Sequence, residues 1–151
     1  MKHKSLYILL LLLTALQGCY LLKKSRDRHI TQFALSNREE IKEAAAIAVA
    51  IAFEQRKNSF FISQVIDTSV KRKLRSFGNM ITVCFNDGPC YEIQDSCVTF
   101  TTITLVGATD IIYDFAARDR KFEDKKDNRH DYYFIRVADR LYYRRRPVPM
   151  M

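Results

Sequence analysis

The sequence predicts an α+β domain, in which a long N-terminal helix packs on a curved antiparallel meander of about five or six strands. Three observations predict it. Apolar side chains recur at helical spacing between residues 37 and 56. From Asn79 onward β-branched and aromatic runs take over. Short turn signals separate those runs, including Asn86-Asp87-Gly88 and Gly107-Ala108. Helices first and strands afterwards mark an α+β order rather than alternating βαβ units.

The chain opens with MKHKSLYILLLLLTALQGC. Lys2, His3 and Lys4 are basic, and Ser5 to Ala15 is almost unbroken apolar sequence. That run is about half of what a helix needs to span a hydrocarbon core. A basic start, a short apolar run and a small residue before a cut are the features of an export signal. Leu16-Gln17-Gly18-Cys19 then resembles the lipobox of bacterial lipoproteins, with Leu three positions before Cys and Gly directly before it. The resemblance implies diacylglycerol on Cys19, cleavage before it, and further acylation (palmitate among the chains) of the new amine. It divides the chain into a signal peptide 1–18, a lipidated tether 19–30 and a single domain 31–151. The residue after Cys19 is Tyr20, not the Asp that retains enterobacterial lipoproteins in the inner membrane, and Leu21 to Ser25 lacks an acidic surface-export run. For a source with two membranes the resemblance implies outer-membrane attachment, facing the periplasm.

Removing residues 1–18 takes Lys2 and Lys4 away. It leaves 133 residues with 23 basic and 17 acidic side chains, a net charge of +6. That length suits one domain with a modest core. A basic exported domain on a lipid anchor points to anionic lipid or cell-wall polymer as its surroundings. The export signal argues against nucleic acid. The plain alternative is a solvated surface with an excess of Lys and Arg. Tyr20 to Ile30 carries Lys23, Lys24, Arg26 and Arg28, as a tether close to the headgroups would.

Ser36-Asn37-Arg38-Glu39 has capping-box spacing and predicts a helix from about Asn37 to Arg56. Ala44 to Phe53 holds no polar residue, so the middle of this helix should be enclosed on most sides. Ser59 to Phe77 reads as helical in part, with Ile62, Val65, Ile66, Val70 and Leu74 as its apolar stripe. Strands are expected at Met80 to Phe85, Cys90 to Ile93, Cys97 to Val106, Thr109 to Ala116, Tyr132 to Val137 and Arg140 to Arg145. Arg118 to Asp131 is so highly charged that it reads as a solvated loop. The element order is similar to cystatin-like folds, including the cone-shaped nuclear-transport-factor-like one. This is an analogy of fold and says little about function.

Cys84, Cys90 and Cys97 follow the anchor cysteine, in a compartment where disulfides persist. If Asn86-Asp87-Gly88 forms a three-residue hairpin loop, Cys84 and Cys90 lie opposite each other and a bridge between them is expected. Cys90–Cys97 pairing and three reduced thiols stay open as alternatives. Asp110 and Asp114 share a strand face with Ile112, and two carboxylates there would serve acid–base chemistry in a pocket. Strand aspartates facing Lys or Arg are the commoner arrangement. His29 and His130 stand far from any nucleophile in sequence. Tyr132, Tyr133, Tyr142 and Tyr143 alternate with basic residues, as stacking platforms or as hairpin packing. No Walker loop, nucleophile elbow, zinc signature or calcium loop occurs, and no cofactor or metal is expected. The sequence therefore favours a non-enzymatic binding or structural role at the envelope, with an unidentified envelope protein as a further partner. The alternative is an enzyme or small-ligand binder with a pocket between helix and sheet.

Overall fold

The computed structural model describes residues 24–84, 97–104, 107–115, 125–127 and 132–147. The chain forms two compact units, Met1–Phe33 and Ala34–Met151. In the first, residues 24–33 form helix α1. Within the expected tether 19–30, the described residues from 24 on are helical. The physical reason is that no glycine or proline occurs between Gly18 and Gly78, and Lys and Arg are good helix formers. Thr31 Oγ1 donates to the Asp27 and Arg28 carbonyls, at 3.0 and 2.9 Å, one turn back along this helix.

The second unit begins with helical residues 34–36 and a turn at Asn37, followed by α2 at Arg38–Gln55. The expected capping box is not formed. Ser36 is itself helical, Asn37 holds the cap position, and no side-chain capping bond is made there. Placing one helical run directly before another takes Ser36 out of the extended conformation that an N-cap needs. Arg56 closes α2 in the left-handed region, φ 52° and ψ 40°. Ile41, Ala44, Ala45, Ala48 and Ala52 form the buried face of α2. Ala46 and Ala50 are exposed, and Phe53 is 67% exposed, so the helix is covered on one face rather than on most sides. The alanines let it approach the sheet closely, and only one side of a helix can lie on a single sheet.

A strand, β1 at Ser59–Phe61, replaces the start of the expected second helix, and a 3-10 turn at Ile62–Gln64 follows. Helix α3 covers only Thr68–Arg75. Asp67 caps it, its carboxylate accepting from Ser69 N at 2.8 Å and Val70 N at 3.0 Å. Of the predicted apolar stripe, Ile62, Val65 and Leu74 are buried, but Ile66 is 95% exposed. Ile66 precedes the helix and so escapes its periodicity.

Six more strands complete the sheet, the first five being β2 Met80–Cys84, β3 Cys97–Thr104, β4 Gly107–Asp114, β5 Lys125–Asp127 and β6 Tyr132–Ala138. The last strand, β7, is Leu141–Arg146. Every pairing is antiparallel and the order is β1-β2-β3-β4-β7-β6-β5. The α+β class is therefore as expected, with an open, curved sheet. One part of the strand order departs from a simple meander. Seven strands pair, and β7 rather than β5 lies beside β4. The chain leaves β4, reaches the far edge at β5 and returns through β6 to β7. Part of the charged stretch 118–131 is thus strand, because Lys125–Asp127 pairs with Tyr132–Phe134.

Cys84 faces Cys97 across the β2–β3 ladder. The expected Asn86-Asp87-Gly88 loop and the Cys90 to Ile93 strand lie outside the described residues. Gly107, expected in a turn, opens β4 with φ 156°, and a Cβ there would meet the Arg146 carbonyl oxygen at 3.0 Å. Gly78 is needed for close approach, because a Cβ would stand 2.8 Å from the Thr101 carbonyl oxygen.

Side chains alternate across the sheet, so the register defines two faces. Ile81, Val83, Val98, Phe100, Ile111, Tyr113, Leu141 and Tyr143 share one face, all buried. Phe77, just after α3, packs on Phe100 there with ring centroids 5.6 Å apart. Cys84, Cys97, Ile112, Phe134 and Tyr142 form a second buried cluster on the opposite face. Strand β4 is buried along its whole length. A strand enclosed on both faces must bury whatever polar residues it carries, and β4 carries Asp110 and Asp114.

Candidate functional site

Asp110 lies at the centre of the second face, opposite Thr101 on β3 and Arg144 on β7. It is 0% exposed. An isolated buried carboxylate would be strongly disfavoured, and partners offset that cost here. Thr101 Oγ1 donates to Asp110 Oδ1 at 2.7 Å. Arg144 Nε and Arg146 Nε both donate to Oδ2, at 2.7 and 3.0 Å. The Arg144 side chain is 14% exposed and that of Arg146 35%, so the charge pair nearest the core is the better shielded from water. The geometry follows from pairing: Arg144 stands across from Asp110, and Arg146 two residues on returns to the same face.

Asp114 is also buried and lies opposite Cys97. Burial of the Cys97 thiol, and secondarily the negative charge of Asp114, pushes its pKa up to about 12. A hydrogen bond with Thr99 and the positive charge of Arg144 act the other way and are outweighed. Cys97 is thus a buried, reduced thiol with little thiolate at neutral pH. The nucleophile and redox roles that need a thiolate are poorly served there.

The structure therefore brings Asp110 and Asp114 onto one face, as predicted, but not into one reactive site. Four residues of strand separate them by about 13 Å. Paired catalytic carboxylates stand at most about 9.5 Å apart even when a water lies between them. Asp110 is moreover held on both oxygens by Thr101, Arg144 and Arg146. These arrangements suit a fixed ionic centre in the sheet rather than a proton carrier.

The other expected residues are spread out. His29 is an exposed residue of α1, and His130 lies outside the described residues. Tyr142 and Tyr143 are buried, and Tyr133 lies 6.0 Å from Tyr143 with Arg145 over its ring at 5.7 Å. Tyr142 and Tyr143 pack into the β6–β7 hairpin, and Tyr133 is half-buried. The Tyr132 side chain and Cys19 lie outside the described residues. Among the described residues no group of three or more His, Cys, Asp or Glu could hold a metal, and no helix is long and apolar enough to cross a membrane.

A cavity of about 370 Å³ opens along α3, lined by Thr68, Lys71, Arg72, Arg75 and Ser76. Nothing in the sequence around Lys71, Arg72 and Arg75 signals a concavity. Arg144 and Arg146 likewise carry no local signal of a partner. Only the β4–β7 pairing, between strands distant in sequence, turns them onto Asp110. No protein family, curated protein or solved structure matches the chain.

Proposed function

We propose that the chain is a membrane-anchored envelope lipoprotein whose domain has a non-enzymatic binding or structural role. The observation that carries this reading is Leu16-Gln17-Gly18-Cys19 directly after a basic and then apolar leader. Several acyl chains at Cys19, each contributing about 0.8 kcal/mol per buried methylene, make a stable anchor. The fixed Asp110 centre and the separation of Asp110 from Asp114 support a role without catalysis. The net charge of +6 on the mature chain suits anionic lipid or cell-wall polymer as its surroundings, with an envelope protein as a further partner.

For a source with two membranes, the position of Tyr20 after Cys19 supports attachment to the outer membrane, facing the periplasm. Sucrose-gradient fractionation should recover the protein with outer-membrane markers, and protease added to intact cells should leave it whole. Recovery in the inner-membrane band, or digestion on intact cells, contradicts the assignment.

A disulfide between Cys84 and Cys90 belongs to the same proposal. Cys97 is reduced and Cys19 is assigned to the lipid, which leaves Cys90 as the partner for Cys84. Non-reducing peptide mapping of exported protein should join the Cys84 and Cys90 peptides. Cys97 should resist alkylation at pH 8 until denaturant is added, because the thiolate is scarce and buried. A bridge to Cys97, or three thiols alkylated under native conditions, would sink this assignment.

A further inference from the structure

Residues 68, 71, 72, 75 and 76 recur at steps of three and four, so they line one face of α3 and its end. Val70 and Leu74 turn away from that face, and Leu74 is buried. Lys73 also lies off it and is paired with Glu43 on α2. Among the described residues none forms an ion pair with Lys71, Arg72 or Arg75. Asp67 is the acidic residue next to the stripe, and its carboxylate is engaged by the backbone of Ser69 and Val70 and by the Ser69 hydroxyl at 2.6 Å. Three unmatched cations and two hydroxyl-bearing residues therefore line the concavity of about 370 Å³. Two residues before Thr68, Ile66 holds an apolar side chain almost wholly in water.

We infer that this face of α3 docks the domain on an anionic phospholipid bilayer, with headgroup phosphates in the basic concavity and Ile66 in the interface. The inference rests on the lipoprotein reading for its membrane and gives that membrane a defined face of the domain. Charge complementarity selects an anionic partner: Lys and Arg beside such a surface are attracted to its headgroups, and hydroxyls add hydrogen bonds to phosphate oxygens. Ile66 selects a bilayer over a soluble phosphate polymer. A polymer would meet the cations and leave Ile66 in water, whereas a bilayer interface takes both a basic face and an apolar side chain.

The chain has no tryptophan, so Ile66→Trp supplies a single tryptophan, excited apart from the tyrosines, at an exposed position. The full-length protein carrying this reporter, purified from membranes, is reconstituted on phosphatidylcholine vesicles with or without phosphatidylglycerol. With phosphatidylglycerol the emission should shift to the blue and acrylamide quenching should fall. Inorganic phosphate added without vesicles should produce neither change. Charge reversal by Lys71→Glu, Arg72→Glu and Arg75→Glu together should remove the shift while the acyl anchor keeps the protein on the vesicles. A triple alanine variant, checked for fold by circular dichroism, should lose the shift as well. Equal emission on both vesicle types, or a shift retained by both triple variants, overturns the docking face. Flotation with pure phosphatidylcholine vesicles reads the anchor alone, so a failed anchor and a failed docking face give different results.

Discussion

Asp110→Ala is expected to lower unfolding stability by about 3–5 kcal/mol, the range for leaving one half of a buried ion pair without its partner. The carboxylate is fully buried, and both Arg144 and Arg146 place their Nε atoms on the same oxygen. Removing it leaves two guanidinium groups side by side on β7, each without the carboxylate charge that had stabilised it. Arg146 is the more exposed of the two and can turn toward water, so most of the loss should come from Arg144. Asp110→Asn keeps the shape but not the charge and should fall between wild type and Asp110→Ala. Thr101→Val removes the single hydroxyl donor to Oδ1 and should cost about 1–3 kcal/mol. Urea denaturation midpoints at constant slope measure all three. A loss below about 1 kcal/mol for Asp110→Ala would show that the centre is not what holds β3, β4 and β7 in register, and would reopen Asp110 as a residue kept for chemistry.

The residues that made the fold legible are those whose burial repeats locally. Ile41, Ala44, Ala45, Ala48 and Ala52 announce α2 because one helix face meets one sheet, and that pattern needs no knowledge of the rest of the chain. Runs such as Val98 to Ile103 announce β3 for the same reason. Elements were missed where the local signal was short or belonged to something else. Three residues, Ser59–Phe61, are too few to show a period, and Lys125–Asp127 is charged enough to read as loop although the β6 backbone pairs with it. Ile66 looked like a core residue by spacing, yet the helix that would bury it begins two residues later.

Strand order was the larger gap. A meander is the simplest guess when turns are short, but β4 pairs with β7 across a connection of more than twenty residues. Nothing in either strand alone states that partner. The candidate site depended on it: Asp110 and Asp114 were visible as residues on one strand face, while the arginines that hold Asp110 could be assigned only after Asp110 was placed opposite Arg144. In the same way, that Cys97 lies opposite Cys84 follows from the β2–β3 ladder, between strands whose own sequences do not state the pairing.

The account turns on Cys19. Labelled-palmitate incorporation, read together with membrane fractionation for the wild type and for Cys19→Ser, tests it most directly. The wild type should carry label and sediment with membranes even in high salt, because acyl chains hold through apolar burial that salt does not screen. Cys19→Ser has no thiol to take the diacylglycerol, so it should carry no label. It should also retain its leader uncut or leave the membrane on salt washing once cut. Label absent from the wild type, or present equally in the variant, would contradict the lipoprotein reading and with it the placement of the domain at the envelope.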